Sequence, residues 1–537
     1  MKISFILFFA TLCVFTSCHT TTMPPAFEIN KRVVYNADCD FVVYATNETD
    51  FFSPTILYSP FGPHKMKKTA KLPAVTNYYV RDASCDCRFV LLLAEKLKEN
   101  NFDIYLYNLA TDSSYNITDG IHSTFTDPYF LNRDTMLFLK DGELHAYTVS
   151  DKNWRYYPSE EKFSYLFKGD DNVAFLQDTH SSLWMFDFHQ KKYRKIWHAP
   201  AIFSSSRKAK VHDGQLFFMS DHENGFNAIY EITLAKLKAR QIRSGNHDYF
   251  LVNNSLFIDD TLTYIKNDGL QFVSNVEKLP KDGVLYDFVA KGDSLMMLYA
   301  DAQKPASLYL LSDTGMVNLL DQFDQPIDYT ILTLSKESGV DNLVFLPKGE
   351  VKQWVVWLHG GPHEQVSRRF NPYLYSLVSN HIGVIVLNYP GSTGAGNDFE
   401  LLHIPKEKRL AIQLEAIQVD LKKISQKYRI DSFSMVGVSY GSILAHKLAA
   451  GKNVNVQKLI DFSGINTSKD ILGSSIQTLY IMGGGDFMLS NKQRTELLKD
   501  HEKIGARTVV LKNDGHNISR KQHIALAIDE IMAFLAT

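Results

Sequence analysis

Three residues near the C-terminus have the types and the order required for nucleophilic catalysis: Ser439, Asp486 and His516. Ser439 is the central residue of a Gly-x-Ser-x-Gly sequence at residues 437–441, whose glycines allow a tight strand-to-helix turn that exposes the hydroxyl. A serine hydroxyl needs a base within hydrogen-bond reach, and that base needs an acid to fix its tautomer. The pattern therefore predicts Ser439 as nucleophile, His516 as general base and Asp486 as orienting acid.

Asp486 and His516 each follow an apolar segment that is typical of a buried parallel strand. Because the carboxyl ends of parallel strands lie at one edge of a sheet, we expect both side chains beside Ser439. Taken singly, Asp486 would be read as a turn residue and His516 as a surface histidine. Asp514 is the nearest rival acid, but its closeness in sequence to His516 makes the usual geometry difficult.

A second candidate feature is the His359-Gly-Gly-Pro sequence, which follows a predicted strand. Loops of this type supply backbone N–H groups that stabilise the oxyanion of a tetrahedral intermediate, together with the residue after the nucleophile. The predicted oxyanion donors are therefore the backbone N–H groups of Gly361 and Tyr440. The alternative is an ordinary Gly-Pro turn after a strand.

The segments that would position these residues alternate between strands and helices from residue 353 onward. The predicted strands are residues 354–358, 383–387, 433–436, 458–462, 478–481 and 508–511, and the predicted helices are residues 411–428, 443–450, 492–503 and 522–535. Such alternation is typical of a doubly wound, mostly parallel sheet with helices on both faces. It predicts an α/β-hydrolase domain over residues 333–537.

Residues 36–332 show short strand patterns separated by Asp, Asn, Gly and Ser turns, without helical periodicity. One type of strand, composed of aliphatic and aromatic residues, recurs at intervals of about 40 residues. This interval is the period of a four-stranded propeller blade. Its copies begin at Thr55, Ile104, Leu144, Leu183, Ala228, Leu270 and Leu308. The sequence thus predicts a β-propeller of about seven blades, since a β-sandwich would explain the strands but not the period.

The N-terminus has the layout of a secretory signal, with Lys2 before an apolar run from Ile3 to Phe15 and then Thr-Ser-Cys18. The run is too short to span a bilayer. It predicts a lipoprotein-type signal peptide over residues 1–17, acylation of Cys18 and a linker over residues 18–35. We therefore expect an exported, lipid-anchored protein of the cell envelope, on the periplasmic or outer-membrane side. The alternative is an ordinary cleaved signal or a short anchor.

The overall composition is that of a soluble globular protein, with 45% hydrophobic residues, 22% charged residues and a formal net charge of −2. It gives no sign of nucleic-acid binding. After Cys18 the cysteines are Cys39, Cys85 and Cys87, which allow at most one disulfide and leave one thiol over. No neighbouring histidine or cysteine completes a zinc ligand set, so we expect neither metal nor cofactor.

In combination, these features resemble the prolyl oligopeptidase family and are most similar to its acylaminoacyl-peptidase branch. The resemblance includes the repeated strands, the His359 loop, the Asn-Tyr-Pro-Gly-Ser-Thr-Gly-Ala-Gly sequence at residues 388–396 and the three candidate catalytic residues. It implies a peptidase that cleaves short peptides, with a propeller that restricts the entry of folded proteins.

The sequence also departs from that family at several positions. Other branches place an oxyanion-binding tyrosine where His359 stands, and Pro390 and Ser442 replace a usual arginine and glycine. The interval between Ser439 and Asp486 is shorter than in typical members, which removes residues that ordinarily build part of the substrate pocket. These departures leave the predicted catalytic groups intact, and they leave the substrate specificity open.

Three functions remain as hypotheses. The leading one is a lipid-anchored serine peptidase that acts on oligopeptides, and the second is an esterase or acyl hydrolase that uses the same three residues. The third is a propeller-based binding lipoprotein with an inactive hydrolase domain, which the intact triad opposes. The pair Glu160-Glu161 resembles the glutamates that bind a free N-terminus in dipeptidyl peptidases, but a solvated turn is the preferred interpretation.

Overall fold

The computed structural model of the chain describes most residues from Val34 to Thr537. The described residues are 34–36, 40–46, 55–64, 67–68, 78–95, 102–121, 123–169, 172–198, 209–252, 254–267, 269–319, 329–337, 339–451, 453–464, 476–486, 488–512, 514–518 and 520–537. The predicted signal peptide, Cys18 and nearly all of the predicted linker lie outside these residues. Within this part of the chain, no helix combines the length and the apolar character needed to cross a membrane.

The described residues between 34 and 318, here called the β region, form small and mostly antiparallel sheets. Five sheets of four strands occur in the described residues, and in each of them every strand pairs with the next along the chain. Their strands are Val34–Asn36, Phe41–Thr46, Thr55–Pro60 and Lys67–Lys68 (β1–β4); Tyr78–Ala83, Phe89–Glu95, Phe102–Asn108 and Ser113–Asn116 (β5–β8); Phe125–Phe130, Thr135–Lys140, Glu143–Thr148 and Asn153–Tyr157 (β9–β12); Phe163–Phe167, Val173–Asp178, Ser182–Asp187 and Lys192–His198 (β13–β16); Ala209–His212, Gln215–Ser220, Ala228–Thr233 and Lys238–Arg243 (β17–β20).

A further sheet has seven strands and consists of two units, one of three strands and one of four, and each four-stranded sheet above is also called a unit. Its strands, with a hairpin between the first two, are Asp248–Leu251 (β21), Phe257–Ile258 and Thr261–Leu262 (the hairpin, β22 and β23), Tyr264–Asn267 (β24), Phe272–Ser274 (β25), Val284–Lys291 (β26), Ser294–Ala300 (β27), Ser307–Ser312 (β28) and Gly315–Asn318 (β29). One parallel residue pair, Phe272 with Val284, joins the unit β21, β24 and β25 to the unit β26–β29. Each of the seven recurring segments seen in the sequence lies in, or directly before, the third strand of one unit.

Apolar clusters connect each unit to its neighbours. In β6, Leu92 packs in a cluster with Val43 of the first sheet, while the adjacent Leu91 packs with Phe138 of the third sheet. Alternate residues of a strand point to opposite faces, so each central strand contributes to two such clusters. Val42 of the first sheet also packs with Leu298 and the other apolar residues of the last unit. The first and last units are therefore in contact as well.

Residues 329–537, here called the α/β region, contain an eight-stranded sheet with helices. The strands are Tyr329–Leu334 (β30), Asn342–Pro347 (β31), Gln353–Leu358 (β32), Ile382–Leu387 (β33), Phe433–Val438 (β34), Val456–Phe462 (β35), Gln477–Gly483 (β36) and Arg507–Leu511 (β37). The helices among the described residues of this region are Pro372–Ser379 (α1), Gly396–Phe399 (α2), Lys406–Tyr428 (α3), Tyr440–Ala450 (α4), Asn491–Lys503 (α5) and Lys521–Ala536 (α6). The sheet order is β30-β31-β33-β32-β34-β35-β36-β37, with every pair from β33 to β37 parallel.

Helices cover both faces of this sheet. On one face, Val355 and Trp357 of β32 pack in a cluster that includes residues of α1 and α6. On the other face, Val356 and Leu358 pack with residues of α3 and α4. Both faces are thus buried, which explains why the central strands are continuous apolar runs and why the mostly parallel sheet could be predicted.

The two regions contact each other through loops at the carboxyl ends of the parallel strands. Asn397 donates its backbone N–H to the carbonyl of Gly225 at 2.9 Å and its side-chain amide to Asp221 at 3.2 Å. Nearby, the side-chain amide of Asn267 donates to Gln365 at 2.9 Å. The β region therefore lies against the edge of the sheet where the candidate catalytic residues are predicted.

Candidate active site

Ser439 occupies the sharp turn between strand β34 and helix α4. Its backbone has φ of 49° and ψ of −114°, a conformation that side-chain-bearing residues rarely adopt. A Cβ atom at Gly437 would lie 2.4 Å from the Cα of Ser442, and one at Gly441 would lie 2.3 Å from the carbonyl oxygen of Leu358. Only glycine fits at these two positions, so the Gly-x-Ser-x-Gly sequence forms the predicted tight strand-to-helix turn, here called the elbow.

The structure brings Ser439, His516 and Asp486 together at the carboxyl ends of β34, β37 and β36. Nε2 of His516 lies 2.9 Å from Oγ of Ser439, and Nδ1 lies 2.8 Å from Oδ2 of Asp486. The Asp486 side chain is fully buried and the His516 side chain is 13% exposed. Since a carboxylate only accepts hydrogen bonds, Nδ1 of His516 carries a proton and a neutral ring presents the lone pair of Nε2 to the serine hydroxyl.

The loops that carry Asp486 and His516 are in direct contact with each other. The backbone N–H of Gly485 donates to the carbonyl of Asp514 at 2.8 Å, and a Cβ atom at Gly483 would lie 2.0 Å from the carbonyl oxygen of Gly515. The close approach explains the glycine run before Asp486. The distance between the acid and the histidine is therefore set by direct contacts between their two loops.

The rival acid, Asp514, has a different partner. Its buried carboxylate lies 2.6 Å from Nδ1 of His523 and 3.8 Å from Nε of Arg520, both at the start of α6. Asp514 thus connects the loop of His516 to the last helix, while Asp486 is the acid that faces His516.

The predicted oxyanion loop passes next to Ser439. A Cβ atom at Gly360 would lie 3.2 Å from the Cβ of Ser439 and 3.9 Å from its Oγ, so backbone approaches the nucleophile where a side chain would interfere. Gly361 has φ of 108°, which favours glycine. Tyr440 is the first residue of α4, and its hydroxyl donates to Gln413 at 2.6 Å. Both predicted oxyanion donors therefore belong to segments that border Ser439.

A buried hydrogen-bond network that the sequence did not predict holds this loop. Nδ1 of His359 lies 2.7 Å from the carbonyl of Gly360, and Nε2 lies 2.8 Å from the hydroxyl of Ser392. The ring of His359 stacks on Tyr389, whose hydroxyl donates to the carbonyl of His359 at 2.7 Å. Burial lowers the pKa of His359 to about 4, so the ring is neutral. Because a carbonyl can only accept, Nδ1 of His359 donates to Gly360, while the Ser392 hydroxyl bonds to Nε2 and also donates to the carbonyl of Tyr389 at 2.7 Å.

Carboxyl groups from both regions face each other beside the same loop. Glu400 of the α/β region interacts electrostatically with Asp248 and Asp221 of the β region, and burial, followed by these two charges, raises the pKa of Glu400 to about 8. Burial also raises the pKa of Asp248 to about 6. Nδ1 of His363 lies 3.8 Å from Glu400, and burial and Arg409 lower the pKa of that histidine. Nothing in the local sequence signals this cluster, since it forms only when the two regions meet.

The remaining predicted positions can be placed as follows. Within the described ranges, no group of three or more His, Cys, Asp or Glu residues could hold a metal ion. Cys87 is disulfide-bonded and Cys85 is a free, exposed thiol. Glu160 is exposed in the turn after β12, where the backbone N–H of Glu161 bonds to Ser159 at 3.1 Å. Glu161 is half-buried, and the solvated-turn interpretation of this glutamate pair stays a prediction.

Comparisons with known proteins show likeness in structure without likeness in sequence. The sequence matches no protein-family model and no curated protein sequence. The acylaminoacyl peptidase of Pyrococcus horikoshii is 13% identical with a TM-score of 0.67, over 94% of this chain and 95% of that one. A puromycin-hydrolyzing peptidase of Mycobacterium tuberculosis is 13% identical with a TM-score of 0.71, over 96% and 97% of the two chains. A prolyl endopeptidase is 10% identical with a TM-score of 0.73, over 93% and 88%.

These likenesses extend over nearly the whole length of each pair of chains. They show that the β region followed by the α/β region is the fold shared by acylaminoacyl, puromycin-hydrolyzing and prolyl peptidases. The resemblance that the sequence motifs indicated is thereby confirmed for the fold.

Proposed function

We propose that this protein is a serine peptidase of the prolyl oligopeptidase type, which hydrolyses short peptides through an acyl-enzyme on Ser439. The observation that carries the proposal is the hydrogen-bonded line from Ser439 Oγ through His516 to the buried Asp486, with separations of 2.9 and 2.8 Å. All three groups stand at the carboxyl ends of parallel strands of one sheet, where open α/β sheets place their chemistry. The fold shared with known peptidases adds support to this assignment.

In the proposed reaction, Oγ of Ser439 attacks the carbonyl carbon of the scissile peptide bond while its proton passes to Nε2 of His516. The buried carboxylate of Asp486 stabilises the imidazolium that forms. His516 then gives the proton to the leaving amine, which departs and leaves the acyl group as an ester on Ser439. Water, deprotonated by the same nitrogen, attacks the ester and releases the carboxylic acid product together with the free serine.

The negative oxygen of each tetrahedral intermediate needs donors already in place. We assign this role to the backbone N–H groups of Gly361 and Tyr440, because their segments border Ser439 on two sides. His359 is deeply buried and its ring bonds to Gly360 and Ser392. It therefore holds the loop in position, and the backbone supplies the hydrogen bonds to the oxyanion.

We further propose that the seven units of the β region form a seven-bladed β-propeller over the active site. Two observations support this arrangement: apolar clusters join successive units, and Val42 of the first unit packs with Leu298 of the last. The contacts at Asn397 and Gln365 hold the β region against the catalytic edge of the sheet. A ring in this position would admit flexible peptides and exclude folded proteins.

The proposed location is the cell envelope, with the protein anchored through acylated Cys18. The support comes from the apolar run that ends at Cys18 and from the disulfide at Cys87, a bond that persists in oxidising compartments. Substrate would reach the enzyme from the aqueous side of the membrane.

The test begins with labelling of the purified protein by a fluorophosphonate probe and with mass-spectrometric profiling of a peptide library. We expect labelling and cleavage by the wild type, and neither by a folded Ser439→Ala variant, because the attacking atom is removed. Undiminished labelling of Ser439→Ala would contradict the assignment of the nucleophile. Labelling together with hydrolysis of esters but not of any peptide would replace the peptidase by an esterase.

A further inference from the structure

A second histidine–aspartate pair lies directly beneath the nucleophile and has no part in the chemistry described above. Nε2 of His446, on helix α4, lies 2.8 Å from Oδ2 of Asp461, near the end of strand β35. Their side chains are 2% and 0% exposed. The pair cannot reach a substrate, so any role it has in catalysis must act through other residues.

The backbone of Ser439 is attached to both elements that the pair connects. The N–H of Ser439 donates to the carbonyl of Phe462 in β35 at 2.9 Å. The carbonyl of Ser439 accepts from the backbone N–H of Ser442 in α4 at 3.0 Å and from the Ser442 hydroxyl at 2.7 Å. Displacement of β35 relative to α4 would therefore move the backbone of Ser439 through the hydrogen bonds of its N–H and of its carbonyl.

The His446–Asp461 bond completes a closed circuit of contacts between Ser439, β35 and α4. Asp461 immediately precedes Phe462, and His446 lies one helical turn beyond Ser442, so the His446–Asp461 bond joins β35 to α4 beneath the elbow. The other oxygen of Asp461 accepts from the backbone N–H of Gly464 at 3.0 Å. A Cβ atom at Gly464 would lie 2.1 Å from Oδ1 of Asp461 and 2.3 Å from Oγ of Ser442, so the arrangement is tightly packed.

The elbow requires such support because its backbone conformation is unfavourable. A residue other than glycine with positive φ persists only where its surroundings determine it. Apolar side chains could join a helix to a strand without the desolvation cost that buried charges carry. A buried hydrogen bond, unlike apolar packing, depends on the distance and angle between its two groups, so it fixes the position of the helix relative to the strand.

We propose that His446 and Asp461 are positioning residues that hold Ser439 Oγ at hydrogen-bond distance from His516. The inference rests on the proposed function, since it assigns to the pair a share in the reactivity of that serine. A displacement of the nucleophile by about 1 Å costs on the order of 100-fold in rate, whereas substrate affinity need not change.

The experiment compares four proteins by their rate of fluorophosphonate labelling and by kcat and KM for a peptide cleaved by the wild type. His446→Leu removes the bond to Asp461, whereas His446→Gln can place an amide nitrogen where Nε2 stands. Glu530→Gln is the matched control, because it removes a partly buried ion pair with Arg507 in the same region but away from the elbow.

We expect His446→Leu to lower kcat and the labelling rate by about tenfold or more with KM changed by less than about twofold, because only the geometry of Ser439 is altered. His446→Gln should recover most of the loss, and Glu530→Gln should react like the wild type. Equal rates for His446→Leu and the wild type, with both folded at the assay temperature, would overturn the proposal.

A double variant controls for misfolding of His446→Leu, in which the buried Asp461 loses its histidine partner. His446→Leu with Asp461→Asn leaves no buried charge and retains an acceptor for Gly464, so it should fold while lacking the connection. Its labelling rate should also fall by about tenfold or more, and a wild-type rate would refute the positioning role. Absence of labelling in the wild type itself would instead contradict the proposed function.

Discussion

Oδ2 of Asp514 lies 2.6 Å from Nδ1 of His523, although Asp514 is only two residues from the catalytic candidate His516. Nδ1 of His516 faces Asp486 at 2.8 Å instead. We therefore expect Asp486→Asn to lower kcat by about 10⁴-fold, because an amide no longer stabilises the imidazolium or favours the required tautomer. Steady-state kinetics with a cleavable peptide would measure this loss.

Asp514→Asn is the matched variant for that measurement. It should lower kcat far less, since its side chain bonds to His523 of the last helix while Nδ1 of His516 faces Asp486. Thermal unfolding of both variants would separate loss of fold from loss of chemistry. The assignment of the orienting acid would be wrong if Asp514→Asn proved the more damaging change in a folded protein.

The partly buried Glu400 predicts a loss of stability at alkaline pH. Burial, Asp248 and Asp221 raise the pKa of Glu400 from 4.5 to about 8, so between these values the folded protein holds a proton that the unfolded chain has released. Stability therefore falls as pH rises through this window, and the full cost is present above about pH 8. Glu400→Gln cannot ionise and should avoid this cost.

Thermal unfolding between pH 4 and pH 9, values that roughly bracket the ionisation of Glu400, would test the expectation. At the alkaline end the melting temperature of Glu400→Gln should be at least about 2 °C above that of the wild type, which is the shift that about 1 kcal/mol produces in domains of this size. At the acid end the two melting temperatures should agree. Glu160→Gln, at an exposed glutamate, should follow the wild type throughout. Parallel curves for Glu400→Gln and the wild type would mean that Glu400 ionises normally in the folded protein.

Cys18 is expected to anchor the protein to a membrane. Cys18→Ala should yield unprocessed precursor or soluble mature protein, because the acylated residue would be missing. Membrane fractionation and incorporation of labelled fatty acid would measure the effect, with Cys85→Ala at the free, exposed thiol as control. Unchanged membrane partitioning of Cys18→Ala, with no fatty acid on the wild type, would contradict lipidation.

Selection by size is expected from the position of the β region against the catalytic edge of the sheet. The full-length enzyme should cleave a short peptide but spare the same sequence within a folded domain, because a folded chain could not bring its backbone to Ser439. Time courses with both substrates would show this, and Ser439→Ala would identify cleavage by contaminants. Efficient digestion of the folded substrate by the wild type alone would show that the β region does not restrict access.

The sequence by itself determined the local features of this protein. Short segments of the sequence contain each of these features. They are the glycines around Ser439, the alternation of strands and helices after residue 353 and the recurrence of one strand type. They could be read because a tight turn, a helical period and a strand period each depend on neighbouring residues. The order Ser439, Asp486 and His516 was informative for the same reason, since each residue follows a recognisable strand.

Only the tertiary structure decided which distant groups meet. The bond of His359 to Ser392 and that of His446 to Asp461 join separate elements, and Glu400 meets Asp248 only where the two regions touch. No periodicity records such contacts, because they depend on strand order and on the way the β region lies against the sheet. Loop geometry likewise decided that Asp486, and not Asp514, is the partner of His516. Asp486 is thirty residues away in the sequence, yet its carboxylate lies 2.8 Å from Nδ1 of His516.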